Sequence, residues 1–218
     1  EKRGYSGVGM YFLKSPDRIL KGIGLSDIDC EGRFIQADYG KLSIVSLYLP
    51  SGTSGEKRQN FKYKVLDYFE KWLRNARKSG RSFGVLSGLM PSGQMHLGHK
   101  MVIDQAKWFQ DLGGDVTIAV ADLEAHATRG LSLEKCRKYA VEEYISNYVG
   151  MGLNPEKTSI YFQSERPIVQ KMGFTLGTKT NLSEMEAIYG FSGNTSLAHV
   201  QSPMVQAGDI VHPQLDEY

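Results

Sequence analysis

The 218-residue chain has little of several features that mark special classes of protein. It has only two cysteines, Cys30 and Cys136, far apart and in no metal-ligand spacing, so we expect reduced thiols in a cytoplasmic protein and no bound metal. No apolar run approaches the length of a membrane span, and the opening residues do not resemble a signal peptide. The formal net charge is only +2, which by itself gives no argument for a nucleic-acid partner.

What the chain does contain is the composition of a globular protein. Hydrophobic residues make up 41% and charged residues 23% of the sequence, so disorder is not the starting assumption. A length of 218 residues can hold one large domain or two small ones, each with a core. The pattern along the chain has to decide the architecture.

The first part of the sequence predicts an antiparallel β meander followed by one long helix. Alternating apolar residues indicate strands at 6–13, 18–23, 33–39 and 42–49. Gly40-Lys41 reads as a tight hairpin turn, and no helix is expected before the mid-fifties. There Thr53-Ser54-Gly55-Glu56 resembles a capping box, and an amphipathic helix follows. Its polar face is basic, but acidic residues interrupt it, which favours a solvated surface over a nucleic-acid surface.

From Phe83 onward, strand and helix patterns alternate. Strands are predicted at 83–87, 116–121 and 158–162, with a Ser132-capped helix before the third and helices after Ser164. Such alternation is typical of a parallel, doubly wound sheet. Ligands bind these sheets at the carboxyl ends of the strands. The segment Met90–His99 and the acidic stretch Asp122-Leu123-Glu124 both follow a strand directly.

The glycine–histidine segment, Met90–His99, is the strongest functional signal. It occupies a strand-to-helix turn, where unpaired backbone N–H groups and the positive end of the helix dipole suit a phosphate. Its glycines allow close approach, its proline stiffens the turn, and its two histidines add donors. The alternative is a tight turn with two exposed histidines. The candidate phosphate-binding residues are Gly88, Pro91, Ser92, Gly93, His96, Gly98 and His99.

The pattern Pro-Ser-Gly-x-x-His-Leu-Gly-His resembles the HIGH signature of class I aminoacyl-tRNA synthetases. The resemblance implies that His96 and His99 contact ATP phosphates, with Mg²⁺, while an amino acid is adenylated. Three further stretches, 121–126, 184–191 and 202–210, resemble the tryptophanyl-tRNA synthetase branch in its archaeal form. The implied fold is α/β: an antiparallel meander and long helix, then a Rossmann-like (class I synthetase, HUP-type) parallel sheet with helices on both faces.

The same resemblance implies an amino-acid site for tryptophan. Glu124, Gln206 and Asp209 correspond to family positions that face the amino acid, and acidic groups suit its donor-only ammonium and indole N–H. The structural alternatives are loop solvation or a helix N-terminus for Asp122 and Glu124, and a polar helix stripe for Gln206 and Asp209. His126 and His199 are interpreted as ordinary surface or packing histidines.

Departures from the family pattern limit the expected activity. Leu86 stands where members often have an aromatic residue. The sequence contains no Gly-x-Asp-Gln strand, no Lys-Met-Ser-Lys-Ser loop and no anticodon-reading domain. Losing half of the phosphate clamp should cost several kcal/mol of transition-state stabilisation. We therefore expect at most weak binding of ATP and tryptophan, only weak contact with tRNA, and no useful aminoacylation.

The first part resembles a different family. Residues 4–80 are similar to the central part of exonuclease III-type apurinic endonucleases, and Tyr48 matches the tyrosine of their Tyr-x-Pro motif. The metal-binding glutamate and the Gly-Asp-x-Asn turn have no counterpart, so phosphodiester hydrolysis lacks its machinery and we expect Tyr48 to be buried. The sequence thus predicts a chimera: a nuclease-like fragment at 1–82 and a truncated synthetase-like domain at 83–218.

Two alternatives and one consequence follow from this chimera. The alternatives to a vestigial nucleotide-binding domain are a DNA-repair nuclease and a chimera without native activity. Neither fragment should close its own core, so either each covers the other's sheet edge or the chain pairs with a second copy; the second option would make it a homo-oligomer.

Overall fold

The computed structural model describes residues 7–10, 12, 14–50 and 55–212. The chain divides into two compact units, Glu1–Gly80 and Arg81–Tyr218. Each unit has its own sheet, and each is described separately below.

The first unit contains an antiparallel sheet and one long helix. In chain order its elements are β1 (Arg18–Lys21), α1 (Ser26–Asp29), β2 (Phe34–Tyr39), β3 (Leu42–Leu47) and α2 (Glu56–Lys78). The strands lie in the order β1-β2-β3, and both pairings are antiparallel. Tyr39 pairs with Leu42, so Gly40-Lys41 forms the predicted two-residue hairpin turn, and Gly40 has a φ of 54°. The meander and long helix are confirmed.

Three details of this unit differ from the sequence prediction. Residues 7–10 and 12 form no strand, and the rest of the candidate strand 6–13 lies outside the described residues. The short helix α1 was not expected, because its four residues are too few to show a helical period. Helix α2 has Gly55 at its N-cap, which has no side chain, so the capping-box prediction is wrong; Thr53 and Ser54 lie outside the described residues.

Helix α2 buries the apolar face that the sequence predicts. Val65, Phe69 and Leu73 are buried, and the ring of Trp72 meets Phe34 of β2 edge-on at 5.7 Å. Ion pairs occupy part of its basic side, including Lys64–Asp27 and Arg74–Glu70. A charged face that pairs with neighbouring carboxylates agrees with the solvated interpretation.

The second unit contains a parallel sheet with helices between and after its strands. Its elements are β4 (Gly84–Leu89), α3 (Leu97–Asp111), β5 (Asp115–Val120), α4 (Asp122–Arg129), α5 (Leu133–Tyr139), α6 (Ser146–Gly150), β6 (Thr158–Phe162), α7 (Pro167–Gly177), α8 (Leu182–Tyr189) and α9 (Leu197–Val211). The strand order is β4-β5-β6, and both pairings are parallel. A six-residue π-helical turn, Ala140–Ile145, joins α5 to α6.

Both faces of this sheet are covered, as predicted. Successive side chains of β5 point to opposite faces. Val116, Ile118 and Val120 belong to one buried cluster with α3, whereas Ala119 belongs to a second cluster with Val205 of α9. Burying a side chain of valine or isoleucine size contributes about 1.5–3 kcal/mol. The sequence of β5 shows no alternation of polar and apolar residues, because the side chains on both of its faces are buried and apolar.

Local signals placed most helix starts correctly. Ser132 caps α5 as expected, and Asn181 and Ser196 cap α8 and α9. Asp122 lies in the first turn of α4, where a loop was one of two interpretations. Helices α7 and α9 pack closely, since a Cβ on Gly208 would lie 2.5 Å from the carbonyl oxygen of Val169. Within the described ranges, the helices are too short or too polar to traverse a lipid bilayer.

Candidate functional site

Both histidines of the glycine–histidine segment cap helix α3. His96 is the N-cap residue, and its Nδ1 accepts a hydrogen bond from the backbone N–H of Gly98 at 3.2 Å. Nδ1 of His99 accepts from the backbone N–H of His96, also at 3.2 Å. The two ring centroids lie 3.9 Å apart. Two of the backbone donors at this helix start are therefore used by the imidazoles themselves.

This capping decides which ring nitrogen can act as a donor. A neutral imidazole has one N–H, and a nitrogen that accepts a hydrogen bond cannot hold that proton. In both rings the proton therefore sits on Nε2. Burial lowers the pKa of His99 from its ordinary value of 6.5, and the neighbouring His96 lowers it further. Near neutral pH His99 thus keeps its cap and presents a neutral Nε2–H.

Tyr144 supports the ring of His99. Its side chain is fully buried, and its ring meets the ring of His99 edge-on at 5.0 Å between centroids. It lies in the π-helical turn Ala140–Ile145, and such turns are frequent at functional sites. A buried aromatic edge behind His99 limits the orientations that the imidazole can adopt.

The remaining residues of the segment leave its outer side open. Pro91 is buried and anchors the turn, whereas Ser92 is exposed. A Cβ on Gly93 would meet nothing within 4 Å, so that position is open. A Cβ on Gly98 would lie 3.0 Å from the ring of His96. A side chain at position 98 would therefore require the His96 ring to shift by a few tenths of an ångström.

A cavity of about 270 Å³ lies at the carboxyl ends of the strands. Gly88 at the end of β4, Glu124 of α4, and Gln206 and Asp209 of α9 all line it. A second cavity of about 350 Å³ shares Glu124 and Gln206 and adds Tyr189, Phe191 and His199 among its lining residues. The structure thus brings together the three predicted amino-acid-binding residues. Neither His96 nor His99 is among the residues that line these two cavities.

Asp209 is buried and held by neutral donors. Its side-chain oxygens accept hydrogen bonds from the hydroxyl of Tyr161 at 2.8 Å and from Nε2 of Gln163 at 2.6 Å. Burial raises the pKa of its carboxyl above the ordinary 3.8, and the hydrogen bonds from Gln163 and Tyr161 offset only part of this effect. Asp209 is therefore a fixed element of the cavity wall and not a member of an exposed polar stripe.

Asp122 has a structural task at the same edge of the sheet. Its carboxylate accepts hydrogen bonds from the backbone N–H groups of Leu123 and Ser164 and from the hydroxyl of Ser164. Ser164 follows β6, so Asp122 ties the end of one parallel strand to the start of another helix. This bond holds Glu124, two residues later, beside the cavity.

Tyr48, the nuclease-like tyrosine of the first unit, is 51% exposed, so the prediction that it is buried is wrong. The guanidinium of Arg33 lies 5.0 Å from its ring centroid and also donates to its carbonyl oxygen. Arg33, and not a hydrophobic core, holds this tyrosine. Among the described residues no cluster of three or more acidic, histidine or cysteine side chains has the geometry of a metal site.

Sequence reasoning missed Tyr161 and Gln163. Tyr161 lies near the end of β6, the third parallel strand, and Gln163 follows that strand directly and lines the smaller cavity. The rule that ligands bind at the carboxyl ends of parallel strands would have found Gln163, because it follows the strand directly. His199 also contributes to the larger cavity, where its ring meets Phe191 at 5.1 Å.

Comparisons with known proteins agree with this geometry. The profile of the family described as "tRNA synthetases class I (W and Y)" matches residues 78–218. The tryptophan–tRNA ligase of Thermoplasma acidophilum is 49% identical over 155 residues, which are 71% of this chain and 35% of the relative. That of Methanocaldococcus jannaschii is 49% identical over 143 residues, 66% of this chain and 39% of the relative.

A solved structure gives the same result. The crystal structure of tryptophanyl-tRNA synthetase from Aeropyrum pernix K1 superposes with a TM-score of 0.62 at 41% identity, covering 67% of this chain and 39% of that one. The second unit is thus similar in sequence and in fold to tryptophan–tRNA ligases. The chain belongs to the class I tRNA synthetase family of the tryptophan and tyrosine enzymes. It spans little more than a third of the length of these relatives.

Proposed function

We propose that the unit Arg81–Tyr218 is a truncated tryptophanyl-tRNA synthetase-like domain that binds ATP and tryptophan. The observation that carries the proposal is the meeting of three predicted amino-acid-binding residues at one cavity, at the sheet edge where the glycine–histidine segment also begins. Ligands of parallel sheets bind at this edge. The curated relatives that the unit resembles at 49% identity are tryptophan–tRNA ligases.

ATP would bind at the start of α3. The Nε2–H groups of His96 and His99 donate to phosphate oxygens, and the helix dipole favours the negative charge. Gly93 and the exposed Ser92 leave room for the triphosphate. Mg²⁺ would arrive on the nucleotide, since the described residues hold no ready-made acidic cluster.

Tryptophan would occupy the cavities at the strand ends. Glu124 and Gln206 line both cavities, so they are placed to receive the ammonium group of the amino acid. The small residues Gly88, Ala119 and Ala121 leave space for a flat ring. Asp209 would act on the ring end of the ligand.

These 218 residues would bind their ligands without completing aminoacylation. Adenylation depends on electrostatic positioning of the phosphates, and the Lys-Met-Ser-Lys-Ser loop that supplies half of the clamp is absent from the sequence. These residues would contact tRNA only weakly, because they include no anticodon-reading domain. Pairing of two copies and a cytoplasmic location are further proposals from the sequence.

The relation of the first unit to exonuclease III-type nucleases stays a prediction. The family match of the chain starts at residue 78 and covers only the last three residues of this unit. Tyr48 is exposed, but its Arg33 partner is paired with Glu31, and no metal cluster lies among the described residues. We expect no cleavage of abasic DNA in the presence of magnesium.

A thermal-shift experiment tests the proposed function. Millimolar ATP or a tryptophanyl-adenylate analogue should raise the melting temperature, because a ligand that binds only the folded state stabilises it. Replacing both histidines by asparagine, His96→Asn with His99→Asn, keeps a side-chain oxygen for the helix cap but removes both Nε2–H donors. We expect this variant to melt near the unliganded wild-type temperature and to lose the ATP shift.

The matched control is His126→Asn, since His126 lies outside the segment and contacts the carbonyl of Leu131. It should retain the full shift. An unchanged melting temperature of the wild-type chain at millimolar ligand would contradict the proposal.

A further inference from the structure

Gln163 combines burial with an unpaired hydrogen-bonding atom. The residue is 2% exposed, and its Oε1 accepts no hydrogen bond within the described part of the chain. A buried acceptor without a partner destabilises the folded state, because it has lost its hydrogen bonds to water and gained none in return. Such atoms are rare in folded proteins and call for an explanation. Gln163 also lines the 270 Å³ cavity at the carboxyl ends of the strands.

The orientation of the Gln163 amide is fixed by Asp209. Its Nε2 donates to Oδ2 of Asp209 at 2.6 Å, and the other oxygen of Asp209 accepts from the hydroxyl of Tyr161. Turning the amide over would bring Oε1 against a carboxylate oxygen at the same distance, which is repulsive. Oε1 is therefore held away from Asp209 as an acceptor.

We propose that Gln163 determines specificity at this site: its Oε1 accepts the ring N–H of a flat aromatic amino acid, and Asp209 with Tyr161 positions it. The inference rests on the proposed function, which supplies tryptophan as the ligand. The indole ring has one polar atom, a donor only, so a single buried acceptor matches it. Ala119 and Ala121 line the same cavity and contribute apolar surface for a flat ring, while Glu124 and Gln206 supply its other polar groups.

This assignment gives Asp209 a different role from direct ligand contact. Its two oxygens already accept from Tyr161 and Gln163, and it is 4% exposed. Asp209 thus acts on the ligand through Gln163 and is a positioning residue. A site that hydrogen-bonds a ligand N–H discriminates strongly against an isostere that lacks it, because the acceptor is then left unpaired.

The test compares two ligands on the full chain. Equilibrium dialysis measures binding of tryptophan and of benzothienylalanine, in which sulfur replaces the ring N–H. Wild type should prefer tryptophan. Gln163→Met, which keeps size but removes the acceptor, should weaken tryptophan about 10- to 100-fold and leave benzothienylalanine within about twofold.

A second variant tests the positioning role. In Asp209→Asn the Oδ1 can still accept from Tyr161, but Nδ2 then faces Gln163, whose amide has to turn and present a donor to the cavity. Binding of tryptophan should again weaken and binding of benzothienylalanine should not. This would occur although each of these residues still carries an acceptor atom.

The matched control is Gln110→Met, the same substitution at a buried glutamine on the other side of the unit. The side chain of Gln110 forms hydrogen bonds with Asn154 and with Thr158, at the opposite end of β6 from Gln163. It should lower the melting temperature without changing the preference between the two ligands.

Each outcome decides the proposal. Equal weakening of both ligands in Gln163→Met would make Gln163 a structural residue, and unchanged tryptophan binding would assign the N–H to another acceptor; either result overturns the inference. Absence of any binding to the wild-type chain would instead refute the proposed function, and the specificity role with it.

Discussion

Two buried or half-buried carboxylates, one in each unit, show opposite chemistry. Glu31 of the first unit faces two guanidinium groups. Both Nη atoms of Arg58 donate hydrogen bonds to its carboxylate oxygens, at 2.7 and 2.8 Å, and Nε of Arg33 donates a third. Asp209 of the second unit faces a hydroxyl and an amide. The hydrogen bonds from Arg58 lower the pKa of Glu31, whereas burial raises the pKa of Asp209.

The difference separates a structural ion pair from a candidate binding group. A carboxylate surrounded by cations is already neutralised, and its partners are used up in holding the fold. A carboxylate with raised pKa that stands beside a cavity keeps its neighbours fixed and oriented toward a ligand, which is the arrangement common at functional sites. The contrast therefore points to the second unit as the functional one.

The largest effect should come from Gly208→Ala, which disturbs the support of Asp209. The new Cβ would lie 2.5 Å from the carbonyl oxygen of Val169, so α7 and α9 have to move apart. Overpacking of this kind costs about 1–3 kcal/mol, and backbone atoms cannot yield like a flexible side chain. We expect a loss of about 3 kcal/mol in the free energy of unfolding of the second unit only.

The two tryptophans of the chain make this measurement specific. Trp72 lies in the first unit and Trp108 in the second, so urea unfolding followed by fluorescence in Trp72→Phe and Trp108→Phe backgrounds reports each unit separately. The control is Gly177→Ala in α7, where a Cβ meets nothing within 4 Å and should cost nothing. If Gly208→Ala lowered the free energy of unfolding equally in both units, the contrast between the two units would not hold.

The second effect concerns Glu31→Gln. Removing the charge leaves Arg58 and Arg33 facing a neutral amide, and we expect the first unit to lose about 2 kcal/mol at pH 7. Because the pKa of Glu31 lies below its ordinary 4.5 when folded, this stability is present above pH 4.5 and is lost as the pH falls through the lowered value. Wild type and variant should therefore converge in acid.

Glu70→Gln provides the matched control for this loss. Glu70 pairs with Arg74 one helical turn away on the surface of α2, and such pairs contribute only about 0.3–0.5 kcal/mol. If Glu70→Gln lowered the free energy of unfolding as much as Glu31→Gln does, the ion pairs of Glu31 would be no stronger than a surface contact.

The sequence carried most of the fold because its signals are local. The two-residue hairpin at Gly40-Lys41 and the cap at Ser132 depend on residues within a few positions of each other, and both are present. The capping box before α2 failed since Gly55 could take the cap position itself. The pairing of strands β4, β5 and β6 followed from their alternation with helices.

The candidate site was less accessible to sequence reasoning, because its parts come from distant positions. Tyr161 and Asp209 are 48 residues apart, and only the packing of α9 against the sheet brings them within 2.8 Å. The exposure of Tyr48 likewise depends on Arg33, 15 positions earlier, and not on the apolar residues around it. Motifs identified which elements matter, and tertiary contacts decided which atoms face the cavity.

The smallest effect, and the one that sharpens the comparison most, is the stability of Asp209→Asn. Since burial raises the pKa of Asp209 when folded, its stabilising contribution is complete below its ordinary pKa of 3.8 and is lost as the pH rises through the raised value. Nearby Asp122 raises that pKa further, whereas His212 on α9 lowers it. A neutral amide avoids the buried charge, so the variant should be slightly more stable than wild type at pH 7.

This gain should vanish toward pH 3, the reverse of the trend for Glu31→Gln. Urea unfolding at a series of pH values, read through Trp108, measures it in the second unit. Opposite slopes for the two variants would establish that one carboxylate serves the fold and that the other is kept at a cost in stability for the cavity. Parallel slopes would mean that Asp209 is an ordinary structural carboxylate, and the assignment of its neighbours to a binding site would lose its physical basis.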